Sequence, residues 1–126
     1  MLFGEICYNS LFHDLKDLKI IAFTHKTTDI SNIGRLHVDA VNRKNRLENI
    51  KAKNVSELMY LSTCNRVEFI FISETSLTKN YLTSFFSRFS EDWNQNDINW
   101  AIENCNIFEG EEAVKHIFHI ASSLDS

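Results

Sequence analysis

Two apolar, strand-like runs separated by a few polar residues constrain the fold of this chain most. The runs are Leu58 to Leu61 and Val67 to Ile72, and Ser62 to Arg66 lies between them. Because so short a connection turns one strand back onto the next, the pair predicts a tight strand-to-strand turn with Cys64 at its tip. A thiol in such a connection is accessible to reactants, whereas a thiol inside a strand usually is not.

The residues around this thiol allow two interpretations. The guanidinium of Arg66, two positions along, could stabilise a Cys64 thiolate or hold a carboxylate through paired hydrogen bonds. A cysteine without a neighbouring histidine is also a common small buried residue. Chemistry alone therefore leaves open a nucleophile and a structural thiol.

Apolar periodicity outlines much of the remaining chain. Leu18 to Phe23 is apolar and β-branched, and it predicts a first strand. A long amphipathic helix is predicted from apolar residues at helical spacing, namely Ile33, Leu36, Ala40, Leu47 and Ile50. A second helix carries a core-packing stripe made of Leu82, Phe85, Phe86, Phe89 and Trp93.

The C-terminal part adds a helical turn at 97–104, a short strand at 105–108 and a last helix. That helix begins with Glu111 and Glu112, whose charges favour a helix N-terminus. The order β, α, β, β, α, β, α predicts an α+β fold of the ferredoxin-like, split βαβ type. Such a fold has a four-stranded antiparallel sheet with helices on one face, here with an extra C-terminal helix.

Composition restricts the class of protein. The 126 residues, 44% of them hydrophobic, suffice for one domain with a buried core. No segment has the apolar length of a membrane span and the N-terminus lacks a signal-peptide pattern, so a cytoplasmic protein is expected. The chain has three cysteines, Cys7, Cys64 and Cys105. Their odd number and their spacing predict neither a disulfide framework nor a zinc site. His116 and His119 lack a third ligand, so no metal is expected there either.

Charge is unevenly distributed along the chain. The net charge of -4 argues against a general nucleic-acid binder. Basic residues nevertheless crowd between Arg35 and Lys53, whereas Glu91 to Glu112 holds seven acidic residues and no Lys or Arg. The basic stretch is either the solvated face of a helix or a surface that meets RNA, and the sequence leaves both open.

The stretch Leu61 to Glu68, which reads Leu-Ser-Thr-Cys-Asn-Arg-Val-Glu, resembles the signature of glutamyl-tRNA reductase, the first committed enzyme of five-carbon tetrapyrrole synthesis. Three more stretches agree with that family in order and spacing: Phe23 to Thr27, Glu111 to Phe118 and Ala121 to Ser126. The resemblance covers roughly residues 18–126. It predicts one catalytic domain over 1–126, with 1–17 as an N-terminal extension of undetermined role.

The resemblance also implies a reaction. The Cys64 thiolate would attack the ester of glutamyl-tRNA to give a glutamyl thioester, and His116 would take up or relay a proton near it. NADPH would then reduce the thioester to glutamate 1-semialdehyde. The family binds NADPH in a following domain, and the isolated glycines of this chain form no Gly-rich nucleotide turn. An isolated catalytic domain, without metal, is therefore expected.

Matching the family residue by residue implies substrate contacts at Thr63, Asn65, Arg66 and Ser126. Arg66 is predicted to read the glutamate side-chain carboxylate, because a planar guanidinium discriminates against an amide. The implied partners are glutamyl-tRNA, the NADPH-binding domain and, in the full-length enzyme, a second copy in a homodimer. Glutamate-1-semialdehyde aminomutase is a further candidate partner.

Two other functions stay open. One is a non-catalytic small-molecule or RNA-binding module on a ferredoxin-like sheet. The other is a cysteine hydrolase, which needs a base and an orienting group that the sequence does not identify. His37 and His119 belong to no motif and are predicted to be plain surface residues.

Overall fold

The computed structural model describes residues 15–25, 28, 30–51 and 55–124. Four strands form one sheet, namely β1 (Leu18–Thr24), β2 (Ser56–Thr63), β3 (Arg66–Ile72) and β4 (Asn106–Glu109). Their order is β2-β3-β1-β4, and every neighbouring pair is antiparallel. This order, with β1 and β3 at the centre, confirms the predicted ferredoxin-like α+β fold.

Five helices accompany the sheet in the described part of the chain, and they are α1 (Ile30–Ile33), α2 (Ala40–Lys51), α3 (Lys79–Phe89), α4 (Gln95–Asn104) and α5 (Glu111–Leu124). The main core lies between one sheet face and helices α2, α3 and α4. Phe69 of β3 meets Phe85 and Phe89 of α3 edge to face, with ring centroids 5.1 Å apart in both pairs. Burial of each such side chain contributes about 1.5–3 kcal/mol. The predicted aromatic stripe is thus part of the core.

The C-terminal helix α5 packs on the opposite face of the sheet. There Ile20 and Ala22 of β1 meet Ala113, and all three are fully buried. Strands β1 and β3 therefore carry apolar side chains on both faces, as strands covered on both sides do. None of the helices among the described residues has the length and apolar character of a membrane span.

The single long helix predicted from Ile33 to Ile50 is wrong. The chain forms the short helix α1, a 3₁₀ turn at Gly34–Leu36 and then α2, which begins only at Ala40. Asp39 explains the break, because its carboxylate accepts the Asn42 backbone N–H at 2.8 Å and so caps a new helix. The apolar spacing continues across the break because Ile33, Leu36 and Ile50 all reach the same core.

This cap should depend on pH. The hydrogen bond from the Asn42 backbone lowers the pKa of Asp39 in the folded chain. Its stabilising effect is therefore present above the unfolded-state pKa and is lost as the pH falls through the lower folded-state pKa. The protection factor of the amides in the first turn of α2, which is the intrinsic exchange rate divided by the observed rate at the same pH, should fall in acid in the native chain. In Asp39→Asn, which caps without titrating, this fall should be absent; an equal fall in both would contradict the assignment.

Candidate active site

Cys64 lies at the tip of the β2–β3 hairpin. Ser62 pairs with Val67 and Thr63 pairs with Arg66, so Cys64 and Asn65 alone form the turn. The Asn65 backbone N–H donates to the Thr63 hydroxyl at 3.4 Å. The thiol is exposed. The sequence prediction of an accessible cysteine in a tight connection is thereby confirmed.

The end of β1 lies beside this turn. Thr24 is paired with Arg66, and the His25 backbone N–H donates to the Asn65 carbonyl at 3.1 Å. Two stretches that resemble the family, far apart in sequence, thus meet at one edge of the sheet. His25 was absent from the predicted site, although its position directly after an apolar strand was a usable signal.

A buried polar chain connects β3 to α5 on the sheet face that α5 covers. Glu68 is fully buried, and its Oε2 accepts a hydrogen bond from Nη1 of Arg66 at 2.9 Å. Its other oxygen is hydrogen-bonded to Nε2 of His116. Because a buried carboxylate is costly unless it is paired, these two contacts account for its presence in the core.

His116 does not lie on the polar flank of helix α5. Its side chain is only 12% exposed, and its ring stacks on Phe108 of β4 with centroids 4.0 Å apart. The structure brings His116 together with Arg66 through Glu68, which the predicted site did not include. The sequence feature that points to Glu68 is its position in the strand, where it shares a face with the apolar residues Ile70 and Ile72.

The opposite face of the hairpin carries a second histidine. Nδ1 of His37 lies 2.8 Å from the Ser62 hydroxyl, and Tyr60 donates its hydroxyl hydrogen to the Leu36 carbonyl at 2.7 Å. His37 is exposed, as predicted, but it is held against the cysteine motif. These contacts fix the segment before α2 to the end of β2.

The remaining predicted positions are less informative. Ser126 lies outside the described residues. His119 is exposed on α5. Among the described residues, no three His, Cys, Asp or Glu side chains are grouped so that they could hold a metal ion.

The two described thiols should differ in reactivity. Cys105 is half-buried, and burial raises the pKa of its thiol to about 11, so on the order of 10⁻³ or less of it is ionised near neutral pH. In a Cys7→Ser background, iodoacetamide should therefore modify Cys64 at least about 100-fold faster than Cys105. Peptide mapping by mass spectrometry gives both rates. In denaturant, the modification rates of Cys64 and Cys105 should become similar. Equal rates in the folded chain would instead indicate that Cys64 is a structural residue and not a nucleophile.

Comparison with known proteins identifies the family of this chain. The sequence profile described as "Glutamyl-tRNAGlu reductase, N-terminal domain" matches residues 21–126. A glutamyl-tRNA reductase from Campylobacter hominis is 36% identical over 111 residues, which cover 84% of this chain and 24% of that protein. One from Syntrophobacter fumaroxidans is 36% identical over 118 residues, which cover 85% of this chain and 23% of that protein.

A solved structure shows the same fold. The glutamyl-tRNA reductase from Methanopyrus kandleri matches with a TM-score of 0.58 at 21% identity, over 88% of this chain and 23% of that one. The chain thus spans about a quarter of the length of the relatives it matches. From the profile match and the identity to these relatives, the chain belongs to the glutamyl-tRNA reductase family, whose N-terminal domain it matches.

Proposed function

We propose that this chain is the catalytic domain of an NADPH-dependent glutamyl-tRNA reductase of tetrapyrrole biosynthesis, and that it accepts glutamate from tRNA on Cys64. The observation that carries the proposal is the exposed thiol of Cys64 at a two-residue turn, beside Arg66 and its buried link to His116. Family membership supplies the substrate class.

The proposed step is an acyl transfer. The Cys64 thiolate attacks the ester carbonyl, a carbon–sulfur bond forms, and the bond from that carbon to the ribose oxygen breaks. The tRNA leaves with a free hydroxyl, whose proton comes from a general acid or from water. An aminoacyl ester is already activated, so a thiolate can react without a full catalytic triad.

His116 is the proposed proton-handling group. Its hydrogen bond to Glu68 and its stacking on Phe108 fix the orientation of the ring, which general acid–base catalysis requires. Glu68 acts through His116 and Arg66, so it is a positioning residue in this proposal.

Reduction of the thioester needs a hydride donor, which we propose is NADPH held by another domain of the full-length enzyme. Gly4, Gly34 and Gly110 are isolated in the sequence, so this chain lacks the Gly-rich pattern of a dinucleotide-binding turn. The chain's own contribution is therefore the thioester.

The test uses glutamyl-tRNA and this chain alone. Intact-mass measurement after incubation should show one glutamyl adduct, and hydroxylamine should remove it because it is a thioester. Unacylated tRNA should give no adduct. A chain that stays unmodified while its Cys64 reacts readily with iodoacetamide would support the non-catalytic module instead.

Arg66 should determine the choice between glutamate and glutamine. Its side chain is 18% exposed and is ion-paired to Glu68 through one nitrogen, and we propose that its other N–H groups bind the substrate carboxylate. Arg66→Lys keeps the charge but loses the planar fork. The native chain should transfer glutamate faster than glutamine. In the variant, the difference in activation free energy between glutamyl-tRNA and glutaminyl-tRNA should shrink by about 1–3 kcal/mol.

Two further measurements make that result specific. Iodoacetamide should still modify Cys64 in Arg66→Lys, and Lys115→Arg on the exposed side of α5 is the matched control. Loss of alkylation as well would show that Arg66 acts mainly on the thiolate. Unchanged selectivity would assign the carboxylate to another residue.

A further inference from the structure

A polar cleft of about 430 Å³ lies between helices α2 and α3, on the sheet face opposite to α5. Its α2 wall carries Asn42, Asn45 and Asn49, which follow one another at i, i+3 and i+7 and so share one face of the helix. Over those residues the helix rises about 10 Å. A row of exposed amides offers both donors and acceptors to a ligand that lies along the helix.

Two guanidinium groups stand in the same cleft. Arg46 lies over the ring of Phe89, with its central carbon 5.6 Å from the ring centroid. Arg88 of α3 donates to the Asn49 carbonyl at 3.3 Å. Because both side chains are held by these contacts, each loses less conformational entropy when it meets an anion than a mobile lysine does.

The arginines of the basic stretch noted in the sequence fall into two groups. Arg35 is ion-paired with Asp97, and Arg43 donates to the Val38 carbonyl at 3.1 Å, so both contribute to the fold. Arg46 instead lines the cleft, together with Arg88 from outside the stretch. The candidate ligand contacts are thus a pair of arginines in a defined geometry rather than a run of basic residues.

Helix α2 connects the cleft, along the chain, to a residue that contacts the cysteine hairpin. Helix α2 starts shortly after His37, which is hydrogen-bonded to Ser62 in the strand that ends at the cysteine turn. Asn42, in the first turn of α2, is therefore the cleft amide closest in the chain to that contact.

The cleft is not purely cationic. Glu91 and Asp92 line it as well, and their carboxylates balance the charge of the two guanidiniums, so a free anion gains little net attraction there. Carboxylates and amides do accept hydrogen bonds from ribose 2′-hydroxyls and from base amino groups. The combination of two guanidiniums, three amides and two carboxylates fits the mixed chemistry of RNA.

We propose that this cleft binds the RNA strand of the substrate close to its reactive end, with Arg46 and Arg88 on phosphates and the asparagine row on 2′-hydroxyls or base edges. The proposal rests on the proposed function, because that function makes an RNA the substrate. It adds the surface that holds the RNA and the residues that contact it.

Fluorescence anisotropy with a labelled RNA hairpin that has an unpaired 3′ end tests the proposal. In Arg46→Gln/Arg88→Gln, the slope of log affinity against log salt should become shallower by about 1.4–1.8, since two phosphate contacts are lost. Affinity at low salt should fall at least about tenfold. Lys16→Gln/Lys115→Gln removes two exposed charges elsewhere and should leave both values unchanged.

Further variants separate binding from folding. Arg46→Lys/Arg88→Lys keeps both charges and should retain the salt slope, and thermal unfolding by circular dichroism identifies any variant that fails to fold. Asn45→Ala should reduce the preference for the RNA over a DNA hairpin of the same sequence. A native chain that does not bind the hairpin, or a folded Gln variant with the native slope, would overturn the proposal.

Failure of this proposal is distinguishable from failure of the proposed function. Cys64→Ser should bind the hairpin as the native chain does, because the thiol is not needed for binding. A native chain that shows the Arg46 and Arg88 dependence but never gains glutamate would refute the acyl transfer alone. A chain that gains glutamate with no dependence on the two arginines would refute the cleft alone.

Discussion

Replacing Cys64 by serine should abolish the transfer of glutamate from tRNA to the protein. A serine hydroxyl is far less ionised than a thiol near neutral pH, and no other group at the hairpin tip can form a thioester. The measurement is the intact mass of the chain after incubation with glutamyl-tRNA, with the native chain alongside. We expect one adduct on the native chain and none on Cys64→Ser.

The substitution should leave the fold intact, because Cys64 is exposed and exposed positions usually change stability by less than about 0.5 kcal/mol. Cys105→Ser is the matched control and should still gain the adduct. An adduct that also forms on Cys64→Ser and is removed by hydroxylamine would mean that the nucleophile has been assigned to the wrong residue.

The second large effect is expected at His116. His116→Asn should slow acyl transfer by about 10²–10⁴, the usual contribution of a general acid or base, with a smaller effect on tRNA affinity. The experiment compares single-turnover rates of adduct formation for both proteins at several pH values between about 6 and 8.

His119→Asn provides the control on the same helix, because that side chain is exposed and His116 is not. Since His116→Asn also disturbs the contact with Glu68, alkylation of Cys64 and thermal unfolding need to be measured on the same sample. Equal transfer rates for the native chain and His116→Asn would show that the histidine does not handle a proton and only packs between α5 and β4.

Local patterns predicted the hairpin well, because strand alternation and a short polar connection are properties of neighbouring residues. The same patterns missed the end of the first helix. The apolar spacing runs on from Ile33 to Ile50 regardless of the break, and only the cap at Asp39 marks where a new helix begins. A capping residue within an apolar period marks such a break between two helices.

The buried link from Arg66 through Glu68 to His116 could not be predicted in this way. Glu68 and His116 are 48 residues apart, and their contact exists only because α5 crosses the sheet face that Glu68 occupies. Sequence alternation placed Glu68 on that face but gave no information about which helix covers it. The resemblance to the family named His116 without indicating its partner.

The two-residue turn at Cys64 has an entropic consequence for any reaction at that thiol. Ordering a flexible loop around a substrate costs about 1–2 kcal/mol for each backbone residue that becomes fixed. Thr63 and Arg66 on either side of the turn are already held in paired strands, so the backbone that carries the sulfur is ordered before a substrate arrives. Binding energy from the rest of a large substrate is then available to orient its reacting carbonyl instead of the protein chain.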